Sequence, residues 1–251
     1  MMKGLFNYET AFRTYIRLLL DDFSRDNIQH AEIRPNFMKT NQLRTDDGTH
    51  TIDNIGMMEI IVSITSEFLA SNPKSRFCSL KVIYCTPRIF APELVAHALD
   101  ECIAFAQRWP AYIAGFDLVG EESAGRTLQS LAPQLLAFRA RCATLALDIP
   151  LLLHCGESAN AGSAADGNVL DALLLGARRI GHGFALPRHP YVVENIKSRG
   201  VCVELCPISN EVLGLTDRVA GHAMYSLLAN NVHCTVSADN GTLFRYVLLK
   251  V

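Results

Sequence analysis

The chain has 251 residues, of which 49% are hydrophobic and 19% charged, with a formal net charge of −2. That composition supports a large buried core and excludes an intrinsically disordered chain. The scattered charges make no basic stripe to follow phosphates and no apolar run reaches the length of a membrane span, so neither nucleic acid nor a bilayer is an expected partner and a small uncharged ligand fits better.

In chain order, the opening Met1–Asn7 has no apolar secretory core with a cleavage site, which predicts a cytosolic chain or one whose leader is missing. A helix follows, carried by Phe12, Tyr15, Ile16, Leu19 and Phe23. His30–Arg34 reads as a strand, and Lys39–Thr51, rich in Asp, Asn, Thr and Gly, as an irregular surface excursion. Ile52, Ile55, Ile60, Ile64 and Phe68 predict a second helix, and Ser79–Cys85 a second strand. Val95, Leu99 and Ile103 then make a helix, Tyr112–Val119 a strand, and Leu135 to Leu147 a further helical stretch. Four more apolar strands are expected at Ile149–His154, Arg179–His182, Gly200–Cys206 and His233–Ser237. Pro92, Pro133 and Pro190 read as residues near helix starts, and Gly200 as the stop after a helix ending at Arg199.

Seven near-continuous apolar strands alternating with helices predict a single α/β domain over 1–251 with a parallel sheet, either doubly wound or closed. No Gly-x-Gly-x-x-Gly turn follows an early strand, and polar residues gather where strands end, which favours a TIM-type (β/α) barrel. The eight cysteines lie mostly in apolar runs and are expected to be buried free thiols.

Those strand ends carry the chemistry. His154-Cys-Gly-Glu157 closes one strand, where an imidazole can face a metal and a carboxylate past a glycine turn can reach substrate. His182 stands between two glycines at the next strand end, and Asp239 closes the last as a carboxylate able to ligate a metal. A lone strand-end histidine is more often structural, and a lone aspartate more often a cap. Polar ends on four successive strands, the third of them Glu204–Asn210, are harder to assign to capping.

The segments His154–Glu157, Arg179–Phe184, Cys206–Leu213 and Gly115–Gly120 resemble the adenosine deaminase family of metal-dependent hydrolases, and the branch of adenosine deaminase-related growth factors in particular. The similarity runs from Asn7 to about Asn240. It implies zinc held by His154 and Asp239, a proton donor at Glu157, and a hydroxide-stabilising His182. Gly120, Asp117 and Asn240 become substrate-binding residues. The implied reaction converts adenosine or 2'-deoxyadenosine to inosine and ammonia, with a homodimer as an open oligomeric option. The growth-factor branch is typically secreted and other relatives cytoplasmic, which leaves localisation open.

The family's first-strand His-x-His has no counterpart in this sequence, so the barrel is expected to lack its first strand and to hold zinc weakly or not at all. Ser237-Ala-Asp-Asn-Gly241 stands where the family has Ser-Asp-Asp-Pro, and the tail from Thr242 departs from the pattern. An incomplete chain is the economical reading of both. Three further functions stay open: deamination of AMP or adenine, with Arg34, Arg88, Arg178 and Arg179 as loose candidates for a phosphate; a non-catalytic, growth-factor-like purine binder; and purely structural strand ends.

Overall fold

A computed structural model describes residues 6–240, which divide into two compact units. The first comprises the chain up to Cys85 together with Arg108–Ala114, and the second Thr86–Gln107 together with the chain from Gly115.

In the first unit, α1 (Glu9–Arg25) buries Phe12, Ile16 and Leu20, one stripe at helical spacing. Strand β1 (His30–Ile33) precedes the predicted excursion, which is more ordered than expected. It holds a short 3-10 turn at Lys39–Asn41 and an antiparallel hairpin of β2 (Leu43–Arg44) and β3 (Thr51–Ile52). The hairpin turn is built by Asp47, whose carboxylate accepts from Thr45 Oγ1 at 2.5 Å and from the Thr49 N–H at 3.0 Å. Ile52, read as helical from its spacing, therefore belongs to β3. Asp53 then caps α2 (Asn54–Ser71) by accepting the Gly56 N–H at 2.8 Å, and this cap sets where the helix begins. Strand β4 (Ser79–Pro87) lies parallel to β1, with His30 opposite Ser79.

The second unit carries the functional residues. After α3 (Pro92–Arg108) and β5 (Ile113–Val119), Thr127 caps α4 (Leu128–Thr144) through the Ser130 N–H. Because the cap lies this early, Pro133 is the sixth residue of α4 and inside the helix, not near its start as expected, and it withholds one ladder N–H. There follow β6 (Leu152–Cys155), α5 (Asn168–Leu174), β7 (Arg179–His182), α6 (Pro190–Arg199), β8 (Cys202–Leu205), α7 (Pro207–Val212), α8 (Met224–Ala229) and β9 (Cys234–Val236). Strands β6, β7, β8 and β9 are parallel in that order, and the Phe116 N–H, 3.0 Å from the Pro150 carbonyl, joins β5 to the β6 side. Gly200, at φ +67, ends α6 as predicted.

All seven predicted parallel strands are present. Near-continuous burial along β6, β7 and β8 explains why their sequences lack alternation. The backbones also approach closely. A Cβ on Gly115 would stand 2.6 Å from the Pro150 carbonyl oxygen and 2.7 Å from Leu152, so Gly115→Ala is expected to cost about 1–3 kcal/mol in a urea titration. Five cysteines are buried, Cys202 and Cys234 are intermediate, Cys78 is exposed, and all eight are free. No helix among the described residues is long and apolar enough to cross a membrane.

Candidate active site

Within the second unit, β5, β6 and β7 deliver their last residues to one place. Asp117, fully buried near the end of β5, accepts the His154 backbone N–H at 2.9 Å and lies 2.6 Å from the same residue's Nδ1. The carboxylate thereby orients the imidazole and leaves Nε2 as the nitrogen available to a metal. In this structure the carboxylate holds His154 in place. Gly181 lies opposite His154 in the β6–β7 register, and a Cβ there would come within 3.0 Å of the ring. Gly183 faces Leu186 and Val203. Both glycines flanking His182 therefore make room for protein atoms.

His182 is almost wholly buried, with its backbone in the left-handed region at φ +64. Asp239 shares that conformation at φ +54. For non-glycine residues it is strained, and such residues concentrate at functional sites. His182 Nε2 stands 3.3 Å from Glu157 Oε1 and 4.0 Å from Asp239 Oδ2, and the His154 and His182 rings are 5.0 Å apart. Four predicted residues, His154, Glu157, His182 and Asp239, thus converge. Gly120, at φ +98, has open space where a side chain would be, and Asn240 follows Asp239 on an exposed turn.

Burial raises the Glu157 carboxyl to about 7, with Asp239 and Glu122 adding to the rise and His154 and Arg88 opposing it. The turn that carries Glu157 is held from beneath by Glu122, a residue without a sequence signature. Its buried carboxylate accepts the Gly156 N–H at 3.0 Å, the Glu157 N–H at 2.6 Å and Asn168 Nδ2 at 2.8 Å. Arg88, equally buried, approaches it at 3.8 Å and donates to the Leu118 and His154 carbonyls.

This placement removes Arg88 from the candidates for a phosphate. Arg178 and Arg179 leave as well: they sit at the opposite end of β7 from His182, where Arg178 grips Asp148 bidentately and Arg179 ion-pairs with Glu204 at 3.0 Å. Arg34 lies in the first unit.

For zinc, His154 with its carboxylate partner has the right chemistry, and Asp239 adds a second donor. A catalytic zinc takes three protein ligands, and no group of three or more His, Cys, Asp and Glu side chains able to hold a metal occurs among the described residues. Among the described residues the donors are therefore fewer than a catalytic zinc takes.

A family model described as adenosine deaminase matches residues 2–251, beyond the limits of Asn7 and Asn240 that the motifs suggested. The divergent tail expected from Thr242 lies outside the described residues. Adenosine deaminase 2 of Pongo abelii is 31% identical over 243 residues, covering 97% of this chain and 46% of that protein. An adenosine deaminase of Aedes albopictus is 34% identical over 241 residues, covering 96% of this chain and 43% of that one. The chain thus spans a little under half the length of these relatives. Arabidopsis ADAL, solved in complex with IMP, superposes with a TM-score of 0.74 at 18% identity, covering 96% of this chain and 64% of that one. The fold class is accordingly the TIM-type α/β class of these deaminases, as the strand–helix alternation predicts.

Proposed function

Because the chain belongs to the adenosine deaminase family, we propose that it carries the proton-transfer and substrate-orienting part of a centre that hydrolyses adenosine or 2'-deoxyadenosine to the inosine product and ammonia. The observation behind this reading is the approach of Glu157 Oε1 to His182 Nε2 at 3.3 Å, beside the Asp239 carboxylate.

With its carboxyl raised to about 7, Glu157 retains a proton through much of the neutral range and can give it to purine N1 while water adds at C6 and returns one of its own protons to the carboxylate. The His182 Nε2–H, aimed between two carboxylates, suits stabilising the entering oxygen. Collapse of the adduct breaks the bond from C6 to the exocyclic nitrogen, which leaves as ammonia with the proton taken from that oxygen. Gly120 offers an uncovered backbone to the purine ring, and Asn240 an amide that can hydrogen-bond a ring nitrogen without adding charge. Zinc, when bound, supplies a water acidic enough to be hydroxide near pH ~7. His154 and Asp239 would be two of its ligands.

A second reading, a purine binder without turnover, is favoured by the incomplete metal-ligand set among the described residues. The two separate when purified protein is incubated with adenosine, AMP and adenine, with and without added zinc. Inosine and ammonia formed from adenosine in preference to AMP are the expected result, given the engaged arginines. Nucleoside binding with no ammonia under any condition would favour the second reading.

A further inference from the structure

We propose that His222, acting through Asn210, fixes the proton of neutral His182 on Nε2, making His222 and Asn210 positioning residues for the imidazole that faces Glu157. The inference rests on the proposed function for its catalytic meaning and on hydrogen-bond geometry for its content.

The relay starts from a group with no freedom. The Met224 backbone N–H can only donate, and it stands 2.9 Å from His222 Nδ1. A neutral His222 accepting there carries its proton on Nε2, which lies 2.7 Å from Asn210 Oδ1. The amide is thereby oriented with Nδ2 toward His182 Nδ1, at 3.0 Å. Flipping the amide would turn an N–H against His222 Nε2 while the Met224 N–H still occupies Nδ1, and a neutral imidazole cannot accept on both nitrogens. Since Asn210 donates to His182 Nδ1, the proton of neutral His182 is on Nε2, 3.3 Å from Glu157 Oε1.

The surroundings suit such a relay. Asn210, His182 and His222 are all buried, the Phe184 ring packs edge-on against His222 with centroids 5.5 Å apart, and burial pushes the His222 imidazole below its ordinary range, toward the neutral form. Asn210 and His222 sit on α7 and on the turn before α8, so both register with the strand end through loops rather than through the sheet.

The imidazole nitrogen resonances of protein labelled with nitrogen-15 histidine test this, at mildly alkaline pH where an ordinary imidazole is neutral. In the unaltered chain, His182 is expected to show Nδ1 in the unprotonated position and Nε2 in the protonated one. Asn210→Asp removes the donor and should move the proton of His182 to Nδ1, because a carboxylate can only accept. His222→Leu should yield a mixture of tautomers, and His222→Gln, which restores an amide donor toward Asn210, should recover the original pattern. His182 protonated on Nδ1 in the unaltered chain, or a pattern indifferent to Asn210→Asp in a folded variant, overturns the relay. The measurement uses neither substrate nor zinc, so failure of the deaminase assay leaves its result standing.

Discussion

Glu157→Gln is expected to lower turnover of purine deamination by about 10²–10⁴-fold, the usual contribution of a positioned general acid. Glutamine preserves the shape of the side chain and cannot release a proton. The pH dependence follows from the raised carboxyl. Activity that needs the acid form should be retained below about 7 and fall as pH rises through that value. Stability follows the same group with a definite sign. Its ordinary value is 4.5, and burial raises it in the folded protein to about 7. The stabilising contribution is therefore fully present below the ordinary value and is lost as pH rises through about 7. The span corresponds to about 3 kcal/mol at most, so Glu157→Gln should unfold at higher temperature than the unaltered chain on the alkaline side of neutrality, with the gap closing in acid. Thermal melts at both ends of this range check it. Equal turnover in the glutamine variant would remove Glu157 from the chemistry.

Glu122→Ala is expected to cost about 3–5 kcal/mol of folding free energy, the penalty for removing one member of a buried ion pair. The magnitude comes from what stays behind. The Arg88 guanidinium is almost fully buried, and the Gly156 and Glu157 N–H groups and the Asn168 amide lose their shared acceptor. Chemical denaturation reads the loss as a shifted midpoint at unchanged slope. A cost below about 1 kcal/mol would mean that water replaces the carboxylate, and the pair would then not be what holds the Glu157 turn.

What the sequence makes legible here follows physical range. Strands β4 to β8 are readable because a sheet buried on both faces demands apolar runs, as in Ile149–Leu153, and His154, Glu157, His182 and Asp239 because each closes or follows an expected strand. The β2–β3 hairpin is not, since strands of two residues within a polar loop have no period to detect. Pro133 misleads because a helix start is set by a cap, here Thr127, which the apolar spacing does not mark. Glu122, Arg88, Asn210 and His222 escape for a different reason. Each is a polar residue whose meaning lies in a partner 12 to 66 positions away, and only the folded chain supplies that partner. Asp117 is legible by its address, yet its position on β5 does not reveal that it faces the neighbouring strand's histidine.

The left-handed backbone at His182 has a practical consequence for anyone improving this protein by selection. Holding a non-glycine residue there costs about 1–3 kcal/mol, which glycine would recover and asparagine would partly relieve. Glycine there would also leave a cavity and an unpaired Asn210 amide, which offset the recovered strain, so heat resistance and chemistry hang on the same side chain at position 182. Screens on this chain must score chemistry in the same round as heat resistance.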